Sequence, residues 1–236
     1  MTWSLIARDA SGAFGIAVAT KNFAVGCRVP HIAAGIGAVA TQALSNPFYG
    51  VNGIKLLREG KSAAEVVTLL IAADEGRAHR QLHVMDAAGR TAVHTGTDCI
   101  DWCGSTAGEG FSIAGNMLAG PAVIQDTAKS YAANAALPFP RRLIAAMKAG
   151  EAAGGDKRGK QSAALVIYGE EEWPDLDLRV DDHADPLAEL ARLEAVSRER
   201  WVHFARMLPN RRDPVGIIDR GQLEAGIAAA LAAESK

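Results

Sequence analysis

The sequence predicts an α+β fold: a four-layer αββα sandwich of two antiparallel sheets flanked by helices, with a C-terminal helical extension. The main observation is the order of segments, which runs strands, two helices, strands, two helices, strand. Runs of strands separated by helix pairs exclude the alternating β-α-β order of a doubly wound sheet. The length of 236 residues also suits one large core with an appendage.

The N-terminal region contains two predicted strand pairs. Thr2–Asp9 and Ala13–Thr20 flank Asp9-Ala10-Ser11-Gly12, which has the composition of a tight turn between antiparallel strands. Cys27–Ala33 and Ile36–Gln42 form the second pair. The chain is therefore expected to begin inside a sheet.

A pair of helices follows these strands. Asn46-Pro47 begins the first helix, with Asn as N-cap and Pro at the first helical position, and the helix runs to Glu59. Ser62 to Glu65 has the pattern of a capping box and begins a second helix, which continues with an apolar face through Ala73.

The second half repeats this order. The predicted strands are Leu82–Asp86, Thr91–Thr95, Cys99–Gly104 and Phe111–Ala114. Predicted helices at Pro121–Asn134 and Pro140–Ala149 precede the continuously apolar segment Gln161–Tyr168, which is expected to be a buried strand.

The C-terminal region differs in composition from the rest. After Glu172 come a short strand, Leu176–Val180, a polar segment, and a helix from Pro186 to about Met207. We expect residues 1–185 to form the sandwich domain and residues 186–236 a helical extension. Because the helix has an apolar face, we expect it to pack on the core or on a partner subunit, in a homodimer or higher homo-oligomer.

Composition and charge exclude several classes of function. The chain is 49% hydrophobic and carries a net charge of −2, so it lacks the basic surface that nucleic-acid binding needs. No segment has the length of a membrane span, and the first residues do not resemble a secretory signal. Three cysteines without an export signal favour reduced thiols. The sequence predicts a cytoplasmic protein with no nucleic-acid or membrane partner.

Thr2 is the residue with the clearest chemical potential. Removal of Met1 would give it a free α-amine with an ordinary pKa of about 7.7–8.0, which can act as the base for its own hydroxyl. The alternative is that Thr2 is an ordinary strand residue.

Several segments resemble a bacterial family called domain of unknown function 1028, over about residues 2–190. They are TWSLIARD, GIAVATKNFAVG, GIGAVATQALSNPFYG, GNMLAGP, GGDKRGKQSAALVI and LRVDDHADP. That family is assigned to the N-terminal-nucleophile (Ntn) hydrolase superfamily. The resemblance implies an Ntn-type amide hydrolase or acyl-transfer enzyme that uses Thr2, needs no cofactor and takes a small-molecule amide substrate. The alternative is a non-catalytic ligand-binding or oligomeric protein with the same fold.

The resemblance also implies candidate site residues. GIAVATKN ends at Lys21, where the superfamily has an acidic residue, so Lys21 is expected to supply positive charge beside Thr2 unless it is only a solvated hairpin residue. VPHIAAG offers His31 where the superfamily presents a lysine. FSIAGNMLAG places Asn116 near the terminal amine, and GGDKRGKQSAAL places Asp156 where a carboxylate orients the site.

For Asn116 and Asp156, helix capping and turn formation are the alternatives. The resemblance also implies that Gln42 and the backbone amides around Thr41 to Ala43 lie where the superfamily builds its oxyanion hole.

Three other patterns are weaker. Residues 154–160 match G-x-x-x-x-G-K but lie between a helix and a strand, the reverse of a phosphate-binding loop. Cys99 and Cys103 lack a second ligand pair and are interpreted as buried thiols. The acidic segment 181–185 fits an exposed turn that caps the next helix better than a cation site. The sequence therefore predicts no metal site.

Overall fold

The computed structural model describes residues 2–234, which form two compact units, 2–190 and 191–234. The strands are β1 (Thr2–Arg8), β2 (Phe14–Thr20), β3 (Pro30–Ala33), β4 (Gly37–Ala43), β5 (Arg80–Asp86), β6 (Thr91–Thr95), β7 (Trp102–Gly108), β8 (Phe111–Leu118), β9 (Ser162–Tyr168) and β10 (Leu176–Val180). The helices are α1 (Pro47–Arg58), α2 (Ala63–Ala72), α3 (Pro121–Ala133), α4 (Phe139–Ala152), α5 (Pro186–Glu199), α6 (Trp201–Ala205) and α7 (Arg220–Glu234).

The first unit confirms the predicted α+β sandwich. A six-stranded sheet has the order β10-β9-β2-β1-β8-β7, and a four-stranded sheet has the order β3-β4-β5-β6, with antiparallel neighbours throughout. The two sheets face each other through β1, β4, β5 and β8. Helices α3 and α4 contact the larger sheet, and α1 and α2 contact the smaller one.

Both predicted helix starts of the first helix pair are confirmed. The Asn46 side chain accepts a hydrogen bond from the backbone N–H of Phe48, and Pro47 occupies the first turn of α1. Ser62 and Glu65 form a reciprocal capping box at the start of α2. These local signals fix where the chain leaves the smaller sheet and covers its outer face.

The layer between the sheets has an apolar region and a polar region. Ile6, Ile16 and Val18 of the larger sheet pack against Ala40 and Met85 of the smaller one. Burying an aliphatic side chain contributes about 1.5–3 kcal/mol, so these contacts stabilise the packing of the two sheets. Because side chains alternate along a strand, the residues two and four positions before Ile6 on β1 face the same layer; these are Ser4 and Thr2.

Two strand predictions need correction. The segment predicted as Cys27–Ala33 becomes a strand only at Pro30, because residues 25–27 form a 3-10 turn in which Arg28 N–H donates to the Val25 carbonyl. The segment predicted as Cys99–Gly104 begins instead at Trp102, since Asp101 has a φ of 56° that breaks extended backbone.

The second unit also differs from prediction. The helix predicted to run from Pro186 to about Met207 is interrupted at Arg200, whose φ of −155° separates α5 from α6. The sequence analysis missed α7. Within the unit, the Arg200 guanidinium donates to the Glu224 carboxylate at 2.6 Å, which ties α7 to the start of α6.

Gly150 marks the close contact of α3 and α4. A Cβ at this position would lie 2.2 Å from Thr127 Oγ1, a buried atom that donates to the Val123 carbonyl. We expect Gly150→Ala to lower the free energy of unfolding by about 1–2 kcal/mol, because overpacking outweighs the gain in helix propensity. Urea denaturation measures the loss.

Thr127→Ala provides the matched test, since it removes the atom that the new methyl group would meet. The double variant should lose less stability than the sum of the two single losses. Additive losses would show that the two helices do not meet at this point.

Candidate active site

Thr2 lies on the inner face of the larger sheet. It pairs with Asn116 on β8, is only 7% exposed, and its Oγ1 donates a hydrogen bond to Thr20 Oγ1 at 3.2 Å. Thr20 ends β2, so the Thr2 side chain is held between the ends of β2 and β8. Side chains alternate between the two faces of β1, and this alternation directs the Thr2 side chain into the layer between the sheets.

Asn116 connects Thr2 to the smaller sheet. Its Nδ2 donates to the Gln81 Oε1 at 3.0 Å and lies 3.4 Å from the Thr2 carbonyl oxygen. The side chain is almost completely buried. The structure therefore brings the Asn116 side chain to the Thr2 carbonyl oxygen, while its expected position near the terminal amine stays a prediction.

Asp156 and Lys21 form a second group near the same strand ends. The Lys21 backbone N–H donates to Asp156 Oδ2 at 2.6 Å, and Arg158 donates to the same carboxylate. Asp156 also forms an isolated bridge with Leu118, two residues after Asn116. The Lys21 ammonium group is exposed and donates to the Lys160 carbonyl at 3.0 Å. The Asp156 carboxylate thus ties the residue after β2 to the end of β8.

Gln42 faces the layer between the sheets but makes a structural contact there. Its Nε2 donates to Gln81 Oε1 at 2.8 Å and to the Ala114 carbonyl at 3.0 Å, which uses both N–H groups. The side chain therefore has no N–H left for an oxyanion. Thr41 points the other way: its Oγ1 donates to the Asn46 carbonyl at the start of α1.

His31 also lies on the helix side of the smaller sheet. A Cβ on Gly50 of α1 would meet its ring at 2.2 Å, so the imidazole packs directly on that helix. Burial lowers its pKa, and Nδ1 lies 3.3 Å from the Val29 carbonyl. The structure does not bring His31 or Thr41 together with the Thr2 side chain.

The sequence analysis missed a buried hydrogen-bond network next to Thr2. Ser4 Oγ donates to Gln42 Oε1 at 2.7 Å and contacts His83 Nε2 at 2.8 Å, while His83 Nδ1 contacts Ser112 Oγ at 2.9 Å. Together with Gln81, these residues are fully buried. The available signal was His83, a polar residue inside the predicted strand Leu82–Asp86, with Gln81 two positions earlier and just before that strand; the core face of a strand normally carries apolar side chains.

His83 supports a prediction about pH. Burial lowers its pKa to about 3, whereas an unfolded histidine has a pKa of about 6.5. Below pH 6.5 the unfolded chain binds a proton that the native site does not, so the free energy of unfolding should fall as pH decreases from about 7. NMR should show the His83 ring signals unchanged over the same range. A ring titration near pH 6.5 would contradict this description of the network.

A cavity of about 310 Å³ lies next to Asn116. Its lining is formed by Ala43, Leu44, His79, Asp98, Cys99, Ile100, Asn116 and Met117. His79 Nε2 and Asp98 Oδ2 are 3.5 Å apart and each is about half exposed. Apart from these two residues and Asn116, the lining is apolar or a thiol.

Left-handed backbone occurs at two residues of this lining. Ala43 has a φ of 69° and Met117 a φ of 52°, and they directly follow Gln42 and Asn116. This conformation costs a non-glycine residue about 1–2 kcal/mol, and such strain clusters at functional sites. The strained positions therefore coincide with the cavity.

Replacing Ala43 with glycine should relieve this strain. We expect the free energy of unfolding to rise by about 0.5–1 kcal/mol, because glycine adopts positive φ without the Cβ clash. Ala40→Gly is the control: Ala40 is buried on the same strand without positive φ, so glycine there should destabilise the protein. A loss of stability in Ala43→Gly, measured by urea denaturation, would contradict the prediction.

The remaining sequence patterns make local contacts, although Cys99 also lines the cavity. Cys99 Sγ donates to the Arg80 carbonyl and Cys103 Sγ to the Cys99 carbonyl, and burial raises the pKa of both thiols. Asp181 pairs with Arg179, and Asp185 accepts from the Ala188 backbone N–H in α5. Within residues 2–234, no group of three or more His, Cys, Asp or Glu side chains has metal-binding geometry. No helix in that range has the length and apolar character to cross a bilayer.

Comparisons with known proteins find a family model and two solved structures that are similar to this chain. A family model described as "Family of unknown function (DUF1028)" matches residues 2–190. The crystal structure of a Silicibacter pomeroyi protein assigned to the same family is 33% identical, with a TM-score of 0.85 over 92% of this chain and 99% of that one. Anbu, an ancestral beta-subunit from Yersinia bercovieri, is 12% identical, with a TM-score of 0.41 over 88% of this chain and 98% of that one. No curated protein matches the chain significantly.

Proposed function

The chain belongs to the DUF1028 family, and we propose that it is an amide hydrolase of the Ntn type, with Thr2 as nucleophile after removal of Met1. The observation that carries the proposal is the position of Asn116, which lies 3.4 Å from the Thr2 carbonyl oxygen and also lines the cavity. A reactive residue on the inner face of β1 would thus be next to a space for a substrate.

The proposed reaction needs only the new N-terminus and water. The α-amine takes the proton of Thr2 Oγ1 as the oxygen attacks the substrate carbonyl carbon. When the tetrahedral intermediate collapses, the C–N bond breaks and the ammonium returns the proton to the leaving nitrogen. Water then hydrolyses the acyl ester and regenerates the threonine hydroxyl.

Thr20, Lys21 and Asp156 are assigned positioning roles in this mechanism. Thr20 accepts the hydrogen bond of the Thr2 hydroxyl and so holds it at the end of β1. Asp156 binds the backbone N–H of Lys21, which fixes the chain directly after Thr20. Because the Gln42 N–H groups already have partners, we do not propose Gln42 as an oxyanion donor.

The proposal is tested with two forms of the protein, one that begins at Thr2 and one that retains Met1. A β-lactone acylates a nucleophilic threonine, so mass spectrometry after peptide mapping should find one adduct on Thr2 of the first form. The second form has no free α-amine at Thr2 and should react at least about 100-fold more slowly, as expected for loss of a general base. Equal labelling of both forms would refute the proposal.

A second function is favoured by the cavity alone. Its volume of about 310 Å³ is at the lower end of small-molecule sites, which span about 300–1,000 Å³. A protein of this fold that binds a small ligand without catalysis would retain the cavity and need no processing of Met1. The two functions therefore differ in whether Thr2 reacts.

A further inference from the structure

Two backbone carbonyl groups determine which atoms of the buried network donate hydrogen bonds and which accept them. The carbonyls of Ala114 and Gly115 can only accept hydrogen bonds, and they lie 3.0 Å from Gln42 Nε2 and 2.9 Å from Gln81 Nε2. Each glutamine must therefore present its NH2 group to the carbonyl. The Gln81 Oε1 is consequently directed at Gln42 and Asn116.

This direction determines the orientation of the Asn116 amide. Gln81 Oε1 and the Thr2 carbonyl oxygen are both acceptors, so Asn116 must present Nδ2 to them. Its Oδ1 is then on the other branch of the amide, and it accepts no hydrogen bond from residues 2–234. Asn116 is only 1% exposed and lines the cavity. Its Oδ1 is not one of the fully enclosed side-chain atoms that lack a partner, so a molecule in the cavity can reach this acceptor.

The donor and acceptor roles at the other end of the network cannot be reversed either. The single Ser4 hydroxyl hydrogen is donated to Gln42 Oε1, so His83 Nε2–H must donate to Ser4 Oγ. His83 Nδ1 then accepts from Ser112 Oγ–H. Since every link has one possible direction, the network holds Asn116 Nδ2 on Gln81 and leaves Oδ1 without a donor among residues 2–234.

Asn116 lines the cavity, whose other lining residues are mostly apolar, with His79, Asp98 and Cys99 as the exceptions. Ala43, Leu44, Ile100 and Met117 contribute to the lining. We infer that the cavity binds a small apolar molecule that carries an N–H donor, and that Asn116 Oδ1 accepts its hydrogen bond. The inference rests on the proposed function for the identity of the donor, which would be the N–H of a substrate amide, but binding does not require Thr2 to react.

A matched pair of ligands tests the inference in the Thr2→Ala protein, where no acyl transfer can occur. Isovaleramide and 4-methylpentan-2-one have the same shape, but the ketone has a methyl group in place of the NH2. NMR titration should show that the amide binds about 5–10-fold more tightly, with signal changes at Asn116 and Met117. Equal affinities, or signal changes confined to other regions, would overturn the inference.

Asn116→Leu provides a second measurement, since it removes the acceptor and keeps a similar side-chain volume. The preference for the amide over the ketone should disappear in this variant. If it fails to fold, the ligand pair on Thr2→Ala still decides the question. Amide preference together with an unreactive Thr2 would uphold this inference and refute the hydrolase, whereas a reactive Thr2 without amide preference would do the opposite.

Discussion

Thr2→Ala, in protein that begins at residue 2, is expected to abolish β-lactone labelling, while Thr2→Ser keeps it within about tenfold of the wild type. Alanine leaves the α-amine in place but removes the hydroxyl that attacks, and losing a catalytic nucleophile costs at least about 10³ in rate. Serine supplies the same hydroxyl without the methyl group. The measurement is the rate of adduct formation by intact mass spectrometry.

Folding must be compared in the same variants. Thr2 is 7% exposed and its hydroxyl donates to Thr20, so Thr2→Ala should lower the free energy of unfolding by only about 1 kcal/mol. A folded Thr2→Ala protein that is labelled as fast as the wild type would show that the electrophile reacts elsewhere. Thr2 would then not be the nucleophile.

Gln81→Leu is expected to cause the largest loss of stability. Gln81 accepts from Gln42 and Asn116 and donates to the Gly115 carbonyl, and all of these contacts are buried. Leucine removes the partner of two buried donors and of two acceptors, the Gly115 carbonyl and Thr95 Oγ1, at about 1–3 kcal/mol for each group that stays unpaired. We expect a loss of about 3–5 kcal/mol, a large part of the stability of a typical domain. Urea denaturation measures it.

Gln125→Leu is the matched control, because Gln125 is exposed on α3. The same substitution there should change the free energy of unfolding by no more than about 0.5 kcal/mol. A loss below about 1 kcal/mol for Gln81→Leu would mean that water replaces the lost partners. The network would then not be the rigid structure on which the orientation of Asn116 depends.

The fold was predictable because its signals are local. The turn before Ala13, the Asn46-Pro47 helix start and the Ser62 capping box each depend on residues within about four positions. Prediction failed where a local signal was absent. No sequence pattern predicts the helix interruption at Arg200 or the left-handed backbone of Asp101.

The site was only partly predictable. Thr2 was named from its position after Met1 and Asn116 from resemblance, and they pair across β1 and β8. Ser4 and His83, which bond across the two sheets, are 79 residues apart in sequence. A single sequence shows such residues only as polar positions inside predicted strands, and it does not reveal which of them meet. His31 and Thr41 were named as site residues, but both side chains lie on the helix side of the smaller sheet. The strand pattern alone did not tell which face of the sheet they occupy.

The most direct test of the central claim is the intact mass of untagged protein from its native host, before and after treatment with a β-lactone. Our account predicts that Met1 is absent and that one adduct forms and maps to Thr2. Retention of Met1 with no adduct would contradict the account, because Thr2 would then be an internal residue of β1 without the amine that activates it.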